Sequence, residues 1–147
     1  MSLEADVRRM AGTRPFDMLP REAVQLIAFS CDRQTLKVGE ILFSAGDPAD
    51  CAYFVLAGEL TLSVDEAERR VERGALIGET ALMADVRRRA TAKATDDSEL
   101  LRIPGAVFRR VLGEFPGAAV KVRAAAAART RELVGQLVAK REKLLDG

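Results

Sequence analysis

The segment best suited to chemistry places a glycine, a carboxylate and an arginine close together, at Gly78, Glu79 and Arg88. Gly78 precedes a short helical stretch, residues 80–83 (TALM), and the first amides of a helix are free to bind an anion. Arg88 can fold back over the same point, so that one phosphate receives amides from one side and a guanidinium from the other. Glu79 adds an acceptor, which indicates a ligand carrying both a phosphate and a hydroxyl donor. The residues alone also fit a solvated arginine loop and a glutamate that complements the helix dipole.

Composition argues against catalysis and against a metal centre. The 147 residues include no histidine, which removes the usual serine, cysteine and zinc hydrolase sites. Cys31 and Cys51 are too few for a disulfide framework or a zinc site, so we interpret them as structural thiols. We therefore expect no enzyme activity, no catalytic residues, no metal and no cofactor. The sequence lacks an apolar run of membrane-spanning length and a signal peptide, which predicts a cytoplasmic protein without membrane contact.

The elements that must position this segment are predicted as helices, then strands, then helices. Residues 3–10 and 20–29 have helical spacing, and residues 35–104 contain short apolar runs separated by glycines. In residues 60–64 (LTLSV) the alternation predicts one buried and one wetter face. We expect a mainly β fold with flanking α, an antiparallel β-roll or jelly roll with N-terminal helices and a long C-terminal helix. The expected parts of this single domain are an N-terminal helical segment, 1–34, a β-roll core, 35–105, and C-terminal hinge or lid helices, 106–147.

The C-terminal segment, residues 118–145, is predicted to be one long helix because five consecutive alanines favour helix. Leucine and valine recur in it at three-, four- and seven-residue spacing, which suits a partner helix. We expect a homodimer through this helix, with packing on its own domain as the alternative. Residues 121–147 carry seven basic and three acidic side chains, and we interpret them as a solvated helix face rather than a nucleic-acid arm.

Three stretches of the sequence carry a family resemblance. They are residues 38–50 (VGEILFSAGDPAD), residues 53–60 (YFVLAGEL) and residues 78–91 (GETALMADVRRRAT). The first two are similar to the glycine signatures of the cyclic-nucleotide-binding domain family, and the third resembles its phosphate-binding cassette. The bacterial members of this family include regulators of the catabolite-activator type. The resemblance implies a β-roll, a short helix within the cassette and a C-terminal helix over the pocket.

The resemblance also implies roles for individual residues. Glu79 would accept from the ribose 2′-hydroxyl, and Arg88 would pair with the cyclic phosphate. The remaining ligand-binding residues implied by the cassette are Gly78, Thr80, Ala81, Leu82, Arg89, Ala90 and Thr91. Leu62 and Ile77 would form apolar walls of the pocket.

The cassette departs from the family pattern at two positions. Arg89 stands where a small residue is usual, which bears on ligand access and identity, and Arg87 stands where proline is frequent. The family often contacts the base with polar groups from the long helix, where this chain offers Leu133 and Val134. We expect an apolar lid there, with Arg131 as a guanidinium cap on the base.

The resulting interpretation is a regulatory module that binds a cyclic nucleotide, cAMP rather than cGMP, and signals through its C-terminal helix to a separate effector protein. Because the chain ends at Gly147, without the helix-turn-helix of the activators, we expect no direct DNA binding. One alternative is a module of the same fold that has lost nucleotide binding and serves dimerisation or protein interaction. A cupin-type enzyme is a further alternative, although such enzymes require a histidine-rich metal site.

Overall fold

Two short helices precede the strands. A computed structural model describes residues 2–146, except for the side chains of residues 130, 133–134 and 136–146. Helix α1 (Leu3–Ala11) begins after Ser2, whose hydroxyl accepts from the amide of Ala5 at 3.2 Å. A 3₁₀ turn (Phe16–Met18) connects it to α2 (Arg21–Phe29). One face of each helix is buried, as the helical spacing of the apolar residues predicts.

The strands that follow pair antiparallel throughout. One sheet has the order β1-β10-β4-β7, a second has the order β2-β9-β5-β6, and β3 pairs with β8. The strand bounds are β1 Asp32–Leu36, β2 Ile41–Phe43, β3 Pro48–Ala49, β4 Cys51–Ala57, β5 Glu59–Val64, β6 Ala67–Glu72, β7 Leu76–Ile77, β8 Val86–Arg87, β9 Thr91–Ala94 and β10 Ser98–Pro104. A second 3₁₀ turn (Glu79–Leu82) lies between β7 and β8.

Two apolar clusters stabilise the domain. One fills the inside of the roll and includes Tyr53, Leu60 and Ile77, while the other joins the outer side of β4 and β10 to the helices. The expected alternation in β5 is confirmed only at its start. Leu60 is fully buried and Leu62 is partly buried, but Val64 is 48% exposed because it lies at the end of the strand.

Two helices end the chain. Helix α3 (Gly105–Glu114) packs against α2, and α4 (Pro116–Asp146) has 31 residues, about 46 Å at 1.5 Å per residue. Helix α4 begins two residues before the expected helix and ends one residue after it. Of the described helices, none has the length and apolar character needed to span a bilayer. The prediction of an antiparallel β-roll with N-terminal helices and a long C-terminal helix is confirmed.

Candidate functional site

Arg88 follows β8, and its side chain lies inside the roll. Its amide donates to the carbonyl of Asp47 at 2.8 Å, and its carbonyl accepts from the amide of Gly46 at 2.7 Å. The residue is only 8% exposed, and Nη2 donates to Sγ of Cys51 at 3.3 Å. The loop before β3 therefore fixes the backbone at the point where the side chain leaves it.

Two aromatic rings support the guanidinium of Arg88. Its Cζ lies 4.2 Å from the ring centroid of Phe43 and 5.6 Å from that of Tyr53. The two rings stack on each other with centroids 6.1 Å apart. A cation over an aromatic face gains about 0.5–2 kcal/mol, so β2 and β4 together hold the charged group in place.

The charge of Arg88 has no anionic partner among the described residues. Its Nε and Nη1 are buried without a hydrogen-bond acceptor, and none of the ion pairs found includes it. A buried donor left unpaired costs about 1–3 kcal/mol, and a buried charge without a counterion is disfavoured further. Two free N–H groups on one guanidinium suit a tetrahedral or planar anion.

Gly78 allows Arg88 to approach the main chain closely. Its φ is +73°, in the left-handed region that favours glycine, and a Cβ built there would overlap with Nη1 of Arg88. The sequence-based expectation that Arg88 folds back over Gly78 is therefore met. The overlap also shows that no side chain fits between this backbone and the guanidinium.

Glu79 opens the 3₁₀ turn beside Gly78 and faces helix α4. Its Oε1 forms an ion pair with Nη1 of Arg129, which lies near the middle of α4. The Glu79 side chain is 31% exposed and that of Arg129 is 64% exposed. Helix α4 thus reaches the same edge of the roll as Arg88.

Within the described residues, no group of three His, Cys, Asp or Glu side chains could hold a metal ion.

The other cassette residues have different surroundings. The amide of Ala81 donates to the carbonyl of Gly78 at 3.1 Å, so this structure engages it within the turn. Leu82 is fully buried, whereas Thr80 is exposed. Further along, Oγ1 of Thr91 accepts from the amide of Ala45 at 3.0 Å, and Ala90 is partly buried.

Arg89 and Arg87 both point away from Arg88's buried position. Arg89 is exposed, so its length does not fill the interior of the roll. Arg87 is also exposed, and its Nη1 donates to the carbonyl of Gly46 at 2.9 Å. That bond links the cassette to the loop that also holds the backbone of Arg88. At the position of Arg87 the family often has a proline.

The structure describes the two side chains expected to form the pocket walls, but only one of the three side chains expected at the lid. Leu62 and Ile77 belong to the cluster inside the roll that also contains Phe43 and Tyr53. Leu133 and Val134 lie outside the described side chains. Arg131 is exposed. Arg129, also on α4, forms the ion pair with Glu79 of the cassette.

Tyr53 remains neutral at physiological pH. Burial raises its pKa to about 12, and a hydrogen bond with Cys51 acts in the same direction, while Arg88 opposes the shift. The hydroxyl therefore stays protonated next to the guanidinium. Tyr53 therefore supplies no phenolate as a counterion for Arg88.

Sequence reasoning missed four contributors to this site. Phe43, Tyr53 and Cys51 surround the Arg88 guanidinium, and Arg129 pairs with Glu79. The alternation in β4 could have found two of them, because Cys51 and Tyr53 share the face of Val55 inside the roll. No sequence signal distinguishes Arg129 from the other arginines of α4.

Comparison with known proteins agrees with this geometry. The family model described as "Cyclic nucleotide-binding domain" matches residues 33–115. A cyclic nucleotide-binding-like protein from Brucella abortus is 37% identical, with 74% of this chain and 98% of that chain covered and a TM-score of 0.67. The N-terminal domain of a transcriptional regulator from Streptomyces coelicolor A3(2) is 30% identical, with 90% and 95% covered and a TM-score of 0.74.

A curated relative is much longer than this chain. A lysophospholipase from Aspergillus oryzae is 29% identical over 123 residues, which are 80% of this chain. The chain spans about 8% of the length of the curated relatives it matches. The family match covers the cassette, the aromatic pair and the strands that hold them. Together with the buried arginine and the glycine beneath it, this match shows that the chain belongs to the cyclic nucleotide-binding domain family.

Proposed function

We propose that this domain is a regulatory module that binds a cyclic nucleotide through Arg88 and Glu79 and signals through α4. The observation that carries the proposal is the buried guanidinium of Arg88, with Nε and Nη1 unpaired. A cyclic phosphate would accept from both groups and would neutralise the charge. A charge-assisted bond of this kind contributes about 1.5–3 kcal/mol, a ten- to hundredfold gain in affinity.

The ribose of the nucleotide would bind at Glu79. Its carboxylate would accept from the ribose 2′-hydroxyl, and Leu62 and Ile77 would contact the apolar faces of the ligand. The amides of the 3₁₀ turn, including those of Ala81 and Leu82, would rearrange to reach the phosphate. Arg89 is exposed and does not occupy the interior of the roll. We propose cAMP as the preferred ligand over cGMP.

The signal would pass through the Arg129–Glu79 ion pair. A ribose hydroxyl on Glu79 competes with Arg129 for the same carboxylate oxygens, so ligand binding weakens the attachment of α4 to the cassette. A ligand shifts a conformational equilibrium by its difference in affinity for the two states. The position of α4 would then report occupancy of the site to a dimer partner or to a separate effector protein.

Isothermal titration with cAMP and cGMP in parallel tests the proposal. Non-cyclic AMP serves as the control because it has the same base and ribose but a dianionic, open phosphate. Micromolar or tighter binding of a cyclic nucleotide supports the proposal, and the ratio of the two affinities gives the base preference. No heat and no thermal stabilisation at millimolar ligand would contradict it. That result would favour the alternative of an interaction module without nucleotide.

A further inference from the structure

The thiol of Cys51 lies against the buried charge of Arg88. Cys51 is the first residue of β4 and is 3% exposed, and its Sγ accepts from Nη2 of Arg88 at 3.3 Å. A Cβ built at Gly78 would lie 3.7 Å from the carbonyl oxygen of Cys51, so this residue also borders the turn of the cassette. Sulfur is a weak acceptor, and among the described residues it is the only one that this guanidinium has.

The surroundings of this sulfur favour a gain of negative charge. Arg88 is 8% exposed, and its Nε and Nη1 have no acceptor. The hydroxyl of Tyr53, which its raised pKa keeps protonated, forms a further hydrogen bond with Cys51. An oxygen atom added to Sγ would accept from the free donors of the same guanidinium, as an oxygen of a bound phosphate would.

Cys31 has the opposite surroundings in the same chain. It is less buried than Cys51, and its Sγ donates to the carbonyl of Ile27 at 3.2 Å. Burial raises the pKa of Cys31 to about 12, and the charges of Asp32 and Asp6 act in the same direction. A thiol that stays protonated is a poor nucleophile. Exposure alone would therefore make Cys31 the more reactive cysteine, whereas the neighbouring charges favour Cys51.

An oxidant reaches Cys51 by the opening that the nucleotide would use. Arg88 and Cys51 are buried in the unliganded domain, so a nucleotide contacts Arg88 only when the surrounding elements move. Hydrogen peroxide is smaller than a phosphate group and passes through any opening wide enough for the nucleotide. At this step the inference rests on the proposed function.

We propose that Cys51 is a redox-modification site, at which hydrogen peroxide converts the thiol into a sulfenic acid that occupies the anion site of Arg88 and excludes the nucleotide phosphate. Sγ attacks one peroxide oxygen, the O–O bond breaks, and the released hydroxide takes the thiol proton to form water. The sulfur loses two electrons and the peroxide gains them. A bound nucleotide covers Arg88 and protects Cys51, so occupancy and oxidation exclude each other.

Peptide mass spectrometry after peroxide treatment tests the site. The full chain is treated without nucleotide and unfolded, and its remaining thiols are alkylated; trypsin separates the two cysteines because Arg33 and Lys37 lie between them. We expect Cys51 to lose its thiol roughly tenfold faster than Cys31, and Arg88→Met to remove most of this difference. Arg110→Met, at an exposed residue of α3, is the matched control and should leave it unchanged. Faster loss at Cys31, or an unchanged rate at Cys51 in Arg88→Met, would overturn the proposal.

Titration with cAMP tests the consequence for binding. In Cys31→Ser, which retains a donor for the carbonyl of Ile27, peroxide treatment should lower the affinity at least roughly tenfold, and dithiothreitol should restore it by reducing the sulfenic acid with release of water. Cys51→Ser, or Cys51→Ala if a buried hydroxyl impairs folding, should keep the affinity that it had before treatment. Unchanged affinity after complete oxidation of Cys51 would overturn the proposal.

The two experiments separate this proposal from the proposed function. A reduced chain that does not bind cAMP would contradict the proposed function. Selective oxidation of Cys51 that depends on Arg88 would still support the modification site. Conversely, a chain that binds cAMP but resists oxidation at Cys51 would overturn the modification site and leave the nucleotide site in place.

Discussion

Replacement of Arg88 by methionine should separate ligand binding from folding. Arg88 is buried without an anion, so its charge is a cost in the unliganded domain and a benefit only when a phosphate is present. Methionine has a similar length and no charge, and it preserves contact with the ring of Phe43. The substitution therefore removes the anion partner without opening a large cavity.

The substitution has two opposing effects on the free energy of unfolding of the unliganded domain. Loss of the cation–π contact costs about 0.5–2 kcal/mol. Removal of two unpaired buried donors returns about 1–3 kcal/mol for each. We expect the free energy of unfolding of the unliganded domain to stay the same or to increase. Leaving the phosphate unpaired should cost about 2–5 kcal/mol of affinity, a loss of about 30- to 4,000-fold.

Two measurements on the same variant check this reasoning. Isothermal titration with cAMP gives the affinity, and urea unfolding without ligand gives the stability. Arg110→Met is the matched control, because Arg110 lies on α3 outside the cassette and is exposed. That control should change neither quantity by more than a few tenths of a kcal/mol, about the ordinary effect of a surface substitution.

Either of two results would refute the reasoning. Unchanged cAMP affinity in Arg88→Met would mean that another group holds the anion. A loss of more than about 2 kcal/mol of stability without ligand would exceed the cation–π contribution, and it would mean that Arg88 is a structural support.

Three further predictions follow from the same site. Gly78→Ala should lower the free energy of unfolding, measured with urea, by about 1–3 kcal/mol through backbone strain. It should also weaken cAMP binding, measured by titration, since the new Cβ displaces Arg88. Arg129→Gln should tighten cAMP binding by freeing Glu79, while Glu79→Gln should weaken it, and a loss of affinity in both would contradict the competition. Tyr53 is the only tyrosine, so absorbance of tyrosinate reports it alone, and its titration midpoint should lie near pH 12. Because the unfolded tyrosine ionises near its ordinary pKa of 10.0, stability should fall between pH 10 and 12, and Tyr53→Phe should remove this part of the decrease.

The cassette could be identified from the sequence because its residues are close in the chain and resemble the family motif. Gly78, Glu79 and Arg88 lie within one short segment, residues 78–88, between β7 and β9. The main strands could also be predicted, since apolar residues of the interior alternate or occur in short runs. Strand β6 (Ala67–Glu72) was not identified separately, because four of its six residues are charged and it lies at the edge of its sheet.

The surroundings of Arg88 depend on the tertiary structure. Phe43 and Tyr53 come from strands in different sheets, and Cys51 is 37 residues before the arginine that it contacts. Their meeting depends on how the two sheets close around the interior, which alternation within one strand does not specify. Which arginine of α4 pairs with Glu79, Arg129 or Arg131, also depends on contacts between distant elements. Two residues along a helix correspond to a rotation of about 200°, so only the packing of α4 on the domain selects the side chain that faces Glu79.

The sequence by itself therefore determined which residues form the candidate anion site, and the tertiary structure decided how the charge of Arg88 is held. Residue types and local spacing place a glycine, a carboxylate and an arginine in one loop. Only the closed roll buries Arg88 against two stacked aromatic rings, and only the docking of α4 pairs Glu79 with Arg129. The physical reason is that local spacing constrains neighbours in the chain, whereas burial and pairing arise from contacts between elements far apart in it.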